Sequence, residues 1–510
     1  SGEHLLKLVN GILDLSKIEV GQMSLLETTM ESKLLALDCI RVIEPLAEAP
    51  PLGIHHHYAR LAIVNFPDLE TDCRSLWPPI ADGEGCDCTV CVDAENHNNG
   101  TATIQQAIDS IKDSGGTICL GIGSYNLRAP LLIDGARSLR LRGQGWASIL
   151  LGEETGSIID IRNSTGVALE NLSTIGSTAG GVGSVISARG VIDLRADHVN
   201  VLGLAVGDGT SVGIGLSGNM LGVQISDCAI VAERGVASVG GGDDRHLLVG
   251  ELRLARNLFF CSQRGLSLDG VTLHYGQTRV DGNFLLTGSQ AAVVATGAVM
   301  PGSSFVVADN IIYTAADGIH GGVDGLAVER NTISGFGERS GHGIVLEEGL
   351  DPVALDQVRL NDNRLHQLRG HGIFVTQRVD EAIICGNTVD GMGLGALVMG
   401  DDGAFGVLRL AGNQFRYLGQ ALNNDDAAFA AVQLIRVERA DVVDNLIAHV
   451  ARAALASPGI DAIRCAGVGQ LRLSGNRLLG IGPDRISAPV CAVRVLAPFD
   501  RLALDDNSIE

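Results

Sequence analysis

The sequence predicts an all-β fold, a right-handed parallel β-helix over residues 102–510, and three observations carry that prediction. An asparagine-bearing strand pattern recurs at coil-length intervals, glycine is abundant with 67 residues in 510, and aromatic residues make up only 4%. Such a composition suits short stacked strands joined by tight turns. The pattern is apolar, any, apolar, two residues, Asn, any, apolar. It stands as LRLARNLF at Asn257 and LRLSGNRL at Asn476, with variants at Asn283, Asn310, Asn331, Asn363, Asn387, Asn413, Asn445 and Asn507. Successive gaps are 26, 27, 21, 32, 24, 26, 32, 31 and 31 residues, the length of one coil. A single coil cannot bury a core or pair its own strand edges, so coils must stack. Asparagines at one repeated turn then satisfy each other's amides along the axis. The same column is expected to run back through Asp197 and Cys228.

Composition excludes several functions. With 59 acidic against 37 basic residues, the formal charge of -22 repels a phosphate backbone, so nucleic acid is not an expected partner. The apolar runs fall far short of a bilayer span, and no signal-peptide pattern follows Ser1. The expectation is a cytoplasmic protein, or one exported by a route not visible in the chain. Eleven cysteines are too few and too scattered for a disulfide scaffold of this size, so reduced thiols are expected.

Three segments differ in character. In residues 1–50, Leu5, Leu8, Ile12 and Leu15 form a heptad seam on a helix that needs a partner. Residues 51–101 form a connector rich in Pro, His and Cys. There Cys86, Cys88 and Cys91 are spaced to converge on one soft ion, with zinc the natural candidate. Cys73, Cys119 or one of the histidines 55–57 would be the fourth ligand; the alternative is a small thiol cluster under a loop. Beyond residue 100, Thr103 and Gln106 form a capping box. Ile104, Ala107, Ile108 and Ile111 make one apolar face, and Gly115 and Gly116 stop the helix.

Two resemblances follow from these words. SGEHLLKLVNGILDLSKIEVGQM resembles the second helix of the dimerisation and phosphoacceptor domain of sensor histidine kinases. In that family the phosphorylated histidine lies on the preceding helix, so His4 stands in the wrong helix, and no Asn box or ATP lid follows. The resemblance implies a helix-pairing remnant or a fusion junction rather than a kinase. TIQQAIDSIKDSGGTICLGIGSY resembles the usual opening of the pectin-lyase-like superfamily, in which a helix covers the open end of a parallel β-helix.

Within the coils, SGHGIVLEE at His342 and RGHGIFVTQ at His371 pose the functional question. Each coil carries a glycine before a strand, and the preceding residue is Arg264, Asp317, His342 and His371 in turn, the pattern of a solvated repeat turn. In polygalacturonase-like enzymes, which this fold resembles, a GHG histidine works with an Asp pair and a later RIK motif. Here Asp243 and Asp244, then Asp401 and Asp402, are candidate carboxylates. The second pair follows both GHG motifs, and the lysines stop at Lys112, so no RIK exists. Asp243 and Asp244 with Arg245 imitate the calcium-binding acidic cluster of pectate lyases, which would imply calcium. The expectation is a non-catalytic binding or structural protein of tailspike or adhesin kind, recognising glycans or partner proteins. Its alternatives are a polysaccharide lyase or glycoside hydrolase, and the sensor part of a histidine-kinase fusion. Self-association through the N-terminal helix or the last coil is also expected.

Overall fold

The computed structural model describes residues 88–239, 247–268, 272–337, 340–347, 354–421, 428–452, 459–483 and 489–510. The kinase-like segment, Cys73, Cys86, the histidines 55–57, Asp243 and Asp244 lie outside the described residues.

Strands pair in parallel, each with the strand one coil later, as a parallel β-helix requires. Three long stacks of strands result, with a short additional one through Leu247–Gly250, Thr272–Tyr275 and Ala298–Val299. The first runs from Val90–Val92 to Arg501–Asp505, the second from Gly123–Leu127 to Ser508–Ile509, and the third from Leu131–Asp134 to Val490–Leu496. Alternation sets the inside. Leu131 and Ile133 point in while Leu132 and Asp134 point out, and Leu139 and Leu141 do the same between exposed arginines. The buried side chains of successive coils merge into one continuous apolar interior. The sequence pattern predicts a right-handed parallel β-helix, and these stacks have that architecture.

The helix Ile104–Ile111 closes the first coil. Thr103 and Gln106 cap it reciprocally, and Ile104, Ala107, Ile108 and Ile111 are buried against the strands beneath. Tyr125 is wholly buried here, and its hydroxyl donates to the Val92 and Gly121 carbonyls, so its polar end is satisfied.

The thiol reading requires correction at this end. Cys88 and Cys119 form a disulfide with their Cα atoms 5.8 Å apart. They are 31 residues apart in sequence, but strand pairing sets Cys91 beside Cys119 and so brings Cys88 into reach one coil away. Cys88 therefore has no thiolate to offer the Cys86, Cys88 and Cys91 set. Local spacing suggested a metal knuckle; stacking produced a clip across two coils.

Between the first and second stacks lies the asparagine column. Each amide nitrogen donates to the next asparagine's Oδ1 and to a main-chain carbonyl, while that Oδ1 also accepts the previous main-chain N–H. At Asn331 these bonds are 3.0 Å to Asn363, 2.8 Å to the Val307 carbonyl and 3.0 Å from its own N–H. The column extends unbroken from Asn257 to Asn507, with all members but the last fully buried. Cys228 belongs to it, because its N–H donates to Asn257. Asp197 does not. Val199 takes that place, donating its N–H to Cys228 Sγ, while Asp197 pairs outward with Ser226. The column follows the left-handed residue of the turn, here His198 with φ 53°, and so starts two residues later than the spacing suggests.

Replacing Asn363 with Ala removes the acceptor of the Asn331 N–H and one partner each from the Asn331 amide and the Val328 carbonyl. A cost of about 3 kcal/mol is expected from unsatisfied buried groups. It should appear as faster amide hydrogen exchange in the strands Leu326–Glu329 and Arg378–Cys385, whereas Asn507→Ala at the half-buried end should cost about 1 kcal/mol.

Candidate functional site

On the outer side of the third stack, Val294, His320, Val345, Phe374, Val398 and Gln433 are successive neighbours, one per coil; the three valines are buried and the other three half-buried.

At the start of this stack stands a second ladder. Asp317, His342 and His371 occupy one position in successive coils, and each side chain accepts the main-chain N–H of the coil that follows. Asp317 Oδ1 accepts from His342 N at 2.5 Å, His342 Nδ1 from His371 N at 2.9 Å, and His371 Nδ1 from Gly395 N at 3.1 Å. Both imidazoles must therefore keep Nδ1 unprotonated and carry their proton on Nε2. The glycine before each histidine has a steric cause. A Cβ at Gly370 would meet His342 Nδ1 at 2.7 Å, and one at Gly341 would collide with Asp317 Oδ1. The GHG words are thus ladder geometry. The expectation of a freely solvated turn fails, because Asp317, His342 and His371 are half-buried and engaged.

Beside this ladder His320 lies between two carboxylates. Its Nε2 is 2.9 Å from Asp317 Oδ2 and its Nδ1 is 2.7 Å from Glu347 Oε1. Burial alone would lower its pKa, but the two carboxylates outweigh burial and raise it to about 9. Burial opposes ionisation of Asp317 too, yet the bonds from His320 and from the His342 N–H hold its pKa below the usual carboxylate value. Burial pushes His342 down, and burial with the neighbouring His342 pushes His371 down to about 3. The cationic form is favoured at His320, whereas His342 and His371 are held as neutral Nε2–H tautomers.

The rings form a platform. His342 and His371 stack with centroids 5.2 Å apart and planes 10° apart, and Phe374 lies 4.8 Å from the first and 5.1 Å from the second, at 14° and 20°. Gly400 adjoins it, since a Cβ there would lie 3.3 Å from Phe374 Cζ. Asp401 and Asp402 follow on an exposed turn clasped by Arg436, which donates to the Gly400 and Gly403 carbonyls. The structure thus brings His342, His371 and the second GDD turn to one face and adds Asp317, His320, Glu347 and Phe374. Further along, Asp461 repeats the Asp317 position and Arg464 the His320 position; wholly buried Asp461 accepts from Arg464 at 2.5 Å and Arg494 at 2.9 Å. Elsewhere, Asp197, His198 and Asp227 are close enough to hold a cation. His198 and Arg256 already bond those carboxylates there.

Against this geometry the comparisons can be set. No protein-family model matches the chain. Two curated proteins match over short stretches. One is the "Non-motile and phage-resistance protein" of Caulobacter vibrioides, 40% identical over 76 residues, covering 15% of this chain and 8% of that protein. The other is the circadian input-output histidine kinase CikA of Thermosynechococcus vestitus, 39% identical over 56 residues, covering 11% of this chain and 8% of that protein. The chain spans less than a tenth of the length of either. Among solved structures, the mannuronan C-5 epimerase AlgE6 A-module of Azotobacter vinelandii has a TM-score of 0.37 and 12% identity, over 80% of this chain and 94% of that one. A tailspike protein of E. coli bacteriophage HK620 in complex with a pentasaccharide has a TM-score of 0.39 and 11% identity, over 78% and 74%. The catalytic unit of a GH87 α-1,3-glucanase from Streptomyces thermodiastaticus has 0.37 and 17%, over 80% and 66%.

His320 should titrate near pH 9 by imidazole NMR, while His371 stays neutral down to about pH 3. Because the folded pKa of His320 is raised, its stabilising contribution is complete below its ordinary value of 6.5 and is lost as pH rises through 9. Glu347→Gln should bring that titration down and remove part of the alkaline loss of stability.

Proposed function

We propose that the outward face of the third stack binds an extended glycan without cleaving it. The observation that carries this reading is the engagement of both GHG Nδ1 atoms by main-chain N–H groups. A histidine held this way presents Nε2–H as a donor, and its lowered pKa keeps it from acting as a proton shuttle near neutral pH. What remains is a recognition surface: three near-parallel rings for the apolar face of a sugar, flanked by N–H donors and by the carboxylates of Asp317 and Glu347 as acceptors. Coils stack at about 4.8 Å, roughly the length of one sugar residue in an extended chain, so a polymer lying along the axis meets equivalent groups at each step. Ten successive asparagines hold that spacing.

A second reading rests on Asp317 and Glu347 flanking one ring, since glycoside hydrolysis uses two carboxyl groups. That chemistry requires one of them to hold a proton at the start. The bonds from His320 favour the ionised form of Asp317.

The test is a panel of neutral and acidic polysaccharides with the 510-residue chain, scoring retention on insoluble glycan and release of new reducing ends or unsaturated products. Retention without cleavage is expected. Phe374→Ala should weaken it about 3- to 10-fold, the loss of one aromatic contact worth about 0.5–1.5 kcal/mol. Cleavage abolished by Glu347→Gln would establish the hydrolase or lyase instead.

A further inference from the structure

Near the end of the second stack one residue per coil takes the left-handed conformation, and over five coils that residue is Gln367, Gly391, Tyr417, His449 and Gly480. Their φ values are 53°, 72°, 51°, 57° and 58°. Glycine adopts this conformation freely, whereas a bulky side chain there is strained, and strain of this kind gathers at functional positions. Tyr417 and His449 nevertheless hold it side by side. Their rings are parallel, with centroids 4.7 Å apart and planes 13° apart, and both are exposed, Tyr417 by 46%.

A glycine stands at each end of this short stack, Gly480 beyond His449 and Gly391 beyond Tyr417. Beyond Tyr417 the next coil has Gly391, and the atoms nearest to a Cβ there belong to Gln367, at 3.6–3.8 Å. A slot the size of one missing side chain thus has Tyr417 as one wall, Gln367 as the other and Gly391 as its floor. Asp390 and Arg416, the residues just before Gly391 and Tyr417, stand at its rim 3.4 Å apart, and Arg416 Nε is buried without a hydrogen-bond partner.

We propose that this slot is a pyranose-binding subsite. The C–H face of one sugar ring stacks on Tyr417 and continues the ring stack by one coil. Its hydroxyls meet the Gln367 amide, the Asp390 carboxylate and the Arg416 guanidinium. Hydroxyl groups both donate and accept, which matches a rim that offers both; a purely apolar ring would leave those groups unpaired. The ligand class is that of the preceding reading, but none of its residues is shared.

The experiment titrates the full chain, labelled at histidine and tyrosine, with maltohexaose, cellohexaose, laminarihexaose, xylohexaose and chitohexaose, following the His449 and Tyr417 ring signals by NMR. At least one sugar should shift them saturably. Tyr417→Ala removes the wall, and Gly391→Asn fills the slot with a residue that tolerates left-handed backbone and so keeps the fold. Either change should weaken binding at least 10-fold, while Phe374→Ala leaves these shifts intact. The subsite is refuted when no sugar in the series moves the His449 signals, or when both variants bind as the parent does. Retention on insoluble glycan that is lost in Phe374→Ala while no sugar moves the His449 signals defeats this inference alone, and saturable His449 shifts with retention unchanged by Phe374→Ala defeat the preceding reading alone.

Discussion

The main-chain hydrogen bond from one coil to the next is the interaction on which this molecule rests, and its register is held from inside by amides. A parallel ladder between short strands has little of its own to stop it slipping; a slip of one residue would turn every inward side chain outward. The asparagine column resists this, because each member bonds both the side chain and the main chain of its neighbour and can do so in only one alignment. These bonds lie in the dry interior, where an unmade bond costs most. The apolar interior then follows from register, since Val, Leu and Ile of equivalent position meet in every coil.

The Asp317, His342 and His371 ladder applies the same device at another corner with different chemistry. Side-chain acceptors again receive the next coil's N–H, but here the side chains are half-buried rather than wholly enclosed. An amide in this position would leave little for a ligand. An imidazole leaves an N–H and a flat face, and Phe374 extends that face by one ring. Nδ1 thus holds the coil, and the ring proton stays on Nε2.

Legibility in the sequence followed the range of the interaction. Thr103 and Gln106 lie within one turn, and their capping box is present as expected. The asparagines repeat so often that their column could be read by counting, and it failed only at Asp197, where the turn shifts and Val199 takes the place. Contacts that cross coils without repeating were not legible. Cys88 meets Cys119, and His320 meets Glu347, across 31 and 27 residues, with no local pattern to mark them. Aligning the coils on the glycine of DGIHG, HGIVLEE and HGIFVTQ would have brought Asp317, His320, Glu347 and Phe374 onto one face before any coordinates were known.

The comparison of His320 with Arg464 carries this logic furthest. Both sit three residues after a carboxylate in the same column, and both neutralise it, but with different partners. Asp461 is wholly buried beneath two guanidinium groups, which are charged at all relevant pH and leave the carboxylate inaccessible. Asp317 is held by an imidazole that is itself shared with Glu347, and both carboxylates keep partial exposure, 26% and 36%. One column position thus yields a closed ion pair at one end of the face and an open, polar, ring-lined one at the other. The fold supplies the repeat, and the choice of cation decides where along it the surface remains available to a ligand.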